Sequence, residues 1–387
     1  MIAKQKRPLR VLHCPVVALY QTSLLTRGLR EAGVEADSMV FDFGDDSWLS
    51  LDVDHNLGLD HCSGGRKLLR VIAFLVKAAR RYDVFHFHSG RTLLPLWADS
   101  RWSPISESLR PRLRFLRKGD FLDLTLLRRL GKKMVFSFWG CDIRKPTALA
   151  RNKEYMCHHC LPSERQCESP FRRHLYRALR HYGDAVFLSG DLVKSYTPYH
   201  WLPNAIDLDL WHPERVTERI PEEYRVRKNG KILLLHAFAN SDRRGDHKGT
   251  GQIEAAIERM IRGGLPIQYL TLDRIPIDNV KYLQAQADIV IDQFRLGCYG
   301  SFALESMALA RPVVGWIEPE LFRDQGEIPP IVSTDLKGVE STLSELVADR
   351  KRRQDLGELS RRYVENIHDY RSIGRKLKNT YESLFMH

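Results

Sequence analysis

No stretch of this sequence stays apolar for the roughly 18–20 residues that a helix needs to cross a bilayer. Its start, Met1 to Gln21, is basic and then apolar, but His13, Pro15 and Gln21 interrupt the run and no small-residue cleavage site follows. It reads as a first β-strand rather than a secretion signal, and the cytoplasm is the expected compartment. Cysteine is scarce, 7 in 387 residues, which argues against a disulfide framework in a chain without such a signal. There is no internal repeat and no low-complexity segment. Recognised nucleic-acid motifs and aromatic stacking platforms are also missing, so no nucleic-acid partner is expected.

What is present is the composition of a soluble globular protein, 43% hydrophobic and 28% charged. At 387 residues the chain is too long for one ordinary core, and two domains are the natural reading. The net charge of +12 favours anionic partners. Much of the excess lies in 101–133, where ten Arg and Lys residues alternate with Trp102, Leu109, Leu113, Phe115 and Leu116. This stretch is either a solvated helix face or a patch for peripheral docking on an anionic membrane surface.

Strand and helix patterns alternate along the chain, which indicates parallel sheets in an α/β protein. Strands are expected at 10–14, around 37–41, at 83–88, 132–139 and 185–189, with helices at 23–33 and 66–82. A turn-rich stretch, 202–214, looks like a connector. The pattern then restarts with strands at 231–238, 267–272, 287–293 and 311–316 and helices after Lys248, near 278–286 and at 301–310. The tail from Thr342 to Met386 is helical and charged. The expected division is a domain at 1–202 with a Cys-rich insertion near 141–167, a second at 203–365, and a C-terminal helix at 366–387 that packs back on the first. Two such halves place a site in the cleft between them, outside the carboxyl ends of the strands.

The most informative segment is GCYGSFALESMALARPVV, residues 297–314. A Gly-rich turn feeds a helix whose free first amides and positive dipole end suit a diphosphate. Gly297 and Gly300 let the backbone come close. Glu305, one turn in, can reach two ribose hydroxyls; alone it could equally be a surface Glu on an amphipathic helix. Upstream, Lys248 precedes another helix and is a sensible partner for a pyrophosphate leaving group, with Arg243 or Arg244 beside it.

These segments resemble retaining glycosyltransferases of the GT-B superfamily that carry a Glu-x7-Glu signature. Gly297-Cys298-Tyr299-Gly300, Glu305-Ser306-Met307-Ala308 and Arg311-Pro312-Val313-Val314 stand where that signature runs. The resemblance implies two Rossmann-like domains facing each other across a cleft. It also implies transfer of a sugar from a UDP- or GDP-sugar to a glycan or lipid-linked acceptor, as in glycan assembly, with anomeric retention. Gly297, Tyr299, Gly300, Ser301, Phe302 and Glu305 would hold the donor, with Lys248 and Arg243 or Arg244 on its phosphates. The signature's first glutamate would fall at Gly297, so that carboxylate is missing. LPNAIDLDLWHP resembles the family's connector, and DVFHFHSG its His-x-His strand. FWGCDIR resembles a His-Gly-x-Asp-x-Arg motif facing the cleft, but Trp139 stands in place of its histidine, followed by Gly140, Asp142 and Arg144. His88 is the best remaining imidazole, although a strand histidine can equally be structural. No cofactor is implied for the chemistry, because the leaving phosphate helps to deprotonate the acceptor. A binding module or partner subunit that has kept the fold and lost catalysis is the main alternative, and a zinc-containing nucleic-acid-associated protein, suggested only by charge and cysteines, is the weaker one.

Residues 157–167 read CHHCLPSERQC. Cys157 and Cys160, with Cys167 and the upstream Cys141, make four thiolates that could form a tetrahedral structural zinc site, the alternative being buried or redox thiols.

Overall fold

The computed structural model describes residues 7–15, 20–42, 53–94, 121–145, 155–161, 167, 171–237, 246, 248–272 and 275–386. The first half is a parallel sheet of β1 (Arg10–Cys14), β2 (Glu35–Val40), β3 (His55–Asn56), β4 (Val84–His88), β5 (Lys133–Ser137), β6 (Ala185–Leu188) and β7 (His200–Trp201). Their order is β3-β2-β1-β4-β5-β6-β7. Around it lie α1 (Gln21–Glu31), α2 (Gly64–Arg81), α3 (Leu122–Arg129) and α4 (Phe171–Tyr182). Both faces of this sheet are covered. One apolar layer includes Leu75, Phe85, Phe136 and Leu175, the other Val11, Leu25, Val135 and Tyr370. Burial on both sides is why β4, β5 and β6 read as nearly continuous apolar runs.

The second sheet holds β8 (Ile232–Ala237), β9 (Ile267–Leu272), β10 (Ile289–Ile291), β11 (Val313–Gly315) and β12 (Val332–Ser333). These are again parallel, in the order β12-β11-β10-β8-β9. Its helices are α5 (Pro213–Glu218), α6 (Thr250–Arg262), α7 (Ile277–Gln284), α8 (Ser301–Ala308), α9 (Val339–Ala348) and α10 (Arg350–Ile367). Asp349 ends α9 and caps α10 by accepting from the amide of Arg352 at 2.8 Å, so the charged tail is several helices rather than one. The result is two Rossmann-like domains facing each other across a cleft.

The chain crosses between the halves twice, at one place. The amide of Ile206 donates to His368 O at 2.9 Å, and that of Tyr370 donates back to Ile206 O at 3.2 Å. The final helix α11 (Tyr370–Ser383) then lies on α1 of the first half. A Cβ on Gly374 would stand 2.2 Å from the backbone of Gly28, so only glycine lets these helices approach so closely. Among the described residues no helix is long and apolar enough to cross a membrane.

Candidate active site

Strand order reverses between β1 and β4 in one sheet and between β8 and β10 in the other, the points where α/β sheets open a crevice at their carboxyl ends. In the second half Lys248 lies just before α6 and Asp292 directly follows β10. Lys248 Nζ donates to Asp292 Oδ1 at 3.1 Å and stands 5.3 Å above the Phe302 ring. The other oxygen, Asp292 Oδ2, accepts from the Gly300 amide at 3.0 Å, at the start of α8. One buried carboxylate therefore occupies both the lysine and the helix-start amide expected to meet a diphosphate. The first amides of α6 are capped in turn by Asp246, which accepts from Gly249 and Thr250 at 2.9 and 2.7 Å.

Glu305 is 4% exposed and accepts from the Tyr20 hydroxyl, 2.8 Å away across the cleft. Burial raises its carboxyl to about 7; Tyr20 and Gln284 hold it down by hydrogen bonding, and Asp292 pushes it up. It is therefore a core carboxylate and not a surface one. Gly297 takes φ +70°, and a Cβ there would stand 2.8 Å from Cβ of Glu318. The backbone itself thus accounts for the carboxylate missing at this position, since a glutamate would be strained and crowded.

A cleft cavity of about 200 Å³ lies between the halves, with Gly300, Ser301 and Tyr299 on one wall and Trp139, Arg144 and Asp191 on the other. The Tyr299 hydroxyl is held by Tyr363 at 2.9 Å and His368 at 2.7 Å, which fixes its ring. Arg144 forms a two-pronged buried pair with Asp191, to which Tyr155 also donates at 2.6 Å. Asp142 accepts from the amides of Trp139 and Gly140 at 3.1 and 2.9 Å, so its carboxylate holds the turn. Arg243, Arg244 and the basic residues of 101–120 lie outside the described residues.

His88 is fully buried behind Trp139, whose indole N–H points at His88 Nδ1 at 3.4 Å. His88 Nε2 is 3.0 Å from His13 Nδ1, and burial lowers His88 to about 3. His13, His86 and His88 are the one described set of three potential ligands within 4.8 Å of one another. The trio does not suit a metal, because both nitrogens of His86 are committed to the hydroxyls of Ser137 and Tyr381. An indole can only donate, so His88 receives at Nδ1 and passes its Nε2 proton towards His13. The cysteines belong to no such close set. They are nevertheless gathered: Arg172 donates to the carbonyls of Cys141 and Cys167, Arg144 donates to Cys141 Sγ at 3.0 Å, and no disulfide forms. Cys157 is pushed up to about 12 by burial, against Arg144, with Cys141 and Cys167 adding to the rise.

Tyr20, Asp191 and Asp292 escaped the sequence reading. Only Asp292 left a signal there, an acid ending the apolar run IVI.

Comparison with known proteins agrees with this architecture. A sucrose-phosphate synthase from Thermosynechococcus elongatus aligns with TM-score 0.57 over 98% of this chain and 99% of that one, at 14% identity. The chain has the GT-B fold. Anabaena HepE in complex with UDP and glucose gives TM-score 0.59 at 12% identity, covering 97% and 99% of the two chains. UDP-GlcNAc 2-epimerase from Neisseria meningitidis bound to UDP-GlcNAc gives 0.52 at 10% identity, covering 97% and 100%. No protein-family model matches this sequence, and no curated protein sequence matches it.

Proposed function

We propose that this protein is a glycosyltransferase that takes a sugar from a nucleotide diphosphate, UDP first among the bases, and passes it with retention to a glycan or lipid-linked acceptor in the cleft. The observation that carries the reading is the convergence of Lys248, the Gly300 amide and Glu305 at the β8–β10 reversal, opposite the first half's strand ends. UDP is favoured because HepE and the epimerase were solved with UDP ligands. As the glycosidic bond breaks, negative charge grows on the leaving diphosphate. Lys248 and the helix-start amides would stabilise it. Glu305 would receive the ribose hydroxyls in place of Tyr20.

A thermal-shift screen against UDP, GDP, ADP and CMP tests this. A ligand at about 100 times its Kd should add about 2.7 kcal/mol of stability. Glu305→Gln should weaken UDP by roughly 10- to 100-fold, the worth of hydrogen bonds to a charged acceptor. Binding to wild type should also weaken as pH falls below about 7, where Glu305 gains its proton. If no nucleotide binds, the inactive-relative reading replaces this one. If UDP-GlcNAc is epimerised without acceptor, the reaction class is wrong although the donor site stands.

We also propose that Cys141, Cys157, Cys160 and Cys167 hold a structural zinc, which would draw their sulfurs to roughly 3.8 Å from one another at a Zn–S distance of about 2.3 Å. One zinc per chain by elemental analysis, with a melting point lowered by chelator, is the expected result. Metal-free protein indifferent to chelator would refute it.

A further inference from the structure

A second concavity adjoins the cleft on the first half. It is a groove of about 620 Å³, lined by Lys145, Arg173, Arg177, Arg180 and Lys194 around Tyr176 and Tyr196. The three arginines recur on one face of α4, and all five cations are exposed. Among the described residues no carboxylate lines the groove. Its floor is fixed. Tyr176 and Tyr196 stack at 6.1 Å, Lys145 Nζ stands 4.7 Å over Tyr176, and the Tyr176 hydroxyl donates to Ile143 O at 2.8 Å. The Lys145 amide donates to Ser195 Oγ at 3.0 Å, tying the two walls together. An ordinary solvated basic helix face is convex and interspersed with acids. This surface is concave and of one sign, a form that concentrates anions.

Its position relative to the cleft matters as much as its charge. Arg144 lines the cleft cavity and the next residue, Lys145, lines the groove. Likewise Gly190 to Leu192 face the cleft while Val193 and Lys194 face the groove. The two cavities share a wall. A ligand anchored in the groove can therefore extend a neighbouring group over that wall into the site.

We propose that this groove binds the phosphate or diphosphate of an anionic acceptor, with arginine pairs gripping phosphoryl oxygens and the stacked tyrosines supporting the adjoining apolar or sugar part. Its volume lies within the usual range of ligand sites, about 300–1,000 Å³. Anion binding here stands on the groove alone; the acceptor role rests on the transferase reading above.

The test uses Arg173→Gln/Arg177→Gln/Arg180→Gln in the full chain, with Lys145→Gln/Lys194→Gln as a second variant should the first melt early. Pyrophosphate and farnesyl diphosphate are titrated by calorimetry with saturating UDP present, and in the Lys248→Ala background if UDP does not bind. Flotation with phosphatidylglycerol and phosphatidylcholine vesicles runs in parallel. The expected result is that the arginine variant loses diphosphate affinity at least about tenfold, that salt weakens the wild type, and that the Kd for UDP moves less than about twofold. Diphosphate binding identifies a soluble or lipid-linked phosphate. Binding only to phosphatidylglycerol vesicles, lost in the variant, identifies a membrane headgroup. Binding of neither, or equal binding by the variants, overturns the proposal. Loss of UDP binding in wild type would instead remove the acceptor role and leave the anion result to be judged separately.

Discussion

Acidification from about pH 7 to about pH 5 is expected to unfold this protein. His13, His86, His88, His236 and His368 are all fully or almost fully buried. Burial lowers each of them, His88 to about 3 and His236 and His368 to about 4. In the unfolded chain they take protons near pH 6.5, while in the folded protein they stay neutral. Between those values the unfolded state binds more protons, so stability falls as pH drops below about 6.5. Each histidine contributes up to about 1.4 kcal/mol per pH unit once the pH is well below 6.5, so five acting together become comparable with the whole stability of an ordinary domain at about pH 5. Glu305 works the other way, because its raised value makes the folded state keep a proton up to about 7. Asp123 and Glu254, also raised by burial, act in the same direction as Glu305, and these carboxyls only partly offset the five imidazoles. Urea midpoints at pH 5, 6 and 7 should fall steeply with acid, and His236→Gln should reduce the proton uptake on unfolding by about one. A midpoint that stays flat from pH 7 to 5 would mean that these imidazoles are hydrated and titrate normally.

The same histidines mark how far sequence reasoning reaches. Strands β1, β4, β5, β8 and β10 were legible because burial on both faces leaves near-continuous apolar runs, and α8 because a Gly-rich turn precedes it. The edge pairs β3, β7 and β12 are two residues each, too short for any alternation to appear. Lys248 could be named because it sits just before a helix, where local sequence and anion chemistry coincide, and Glu305, one turn into its helix, because the Gly-rich turn before it and the resemblance to a known signature point to it. Their partners could not. Tyr20 lies 285 positions from Glu305, and that hydrogen bond exists only because the two halves meet. Asp292 lies 44 residues from Lys248, and parallel pairing of β10 with β8 brings them together. His88 and Asp142 show the converse. Both were named from pattern, yet His88 lies one layer behind the cleft and Asp142 spends both oxygens on the backbone of its own turn.

Replacing Lys248 with alanine is expected to damage the protein on two separable counts. Its side chain is 11% exposed and that of Asp292 3%, so removing the ammonium leaves a buried carboxylate whose remaining hydrogen bond among the described residues is to the Gly300 amide. Breaking a buried pair from one side costs about 3–5 kcal/mol. The second count is lost attraction for the diphosphate. The double variant Lys248→Ala/Asp292→Asn should recover most of the stability, because asparagine removes the orphaned charge and can still accept from Gly300. It should not recover nucleotide binding. Asp292→Asn alone should bind UDP more tightly than wild type, since the Asp292 carboxylate holds the two groups a diphosphate must take. The expected order of affinity is Asp292→Asn, then wild type, then both Lys248 variants, measured by calorimetry beside urea unfolding. If Asp292→Asn binds as poorly as Lys248→Ala, Asp292 orients the lysine for the donor and does not compete with it. If the double variant stays as unstable as Lys248→Ala, the cost comes from lost packing over Phe302 and not from an uncompensated charge.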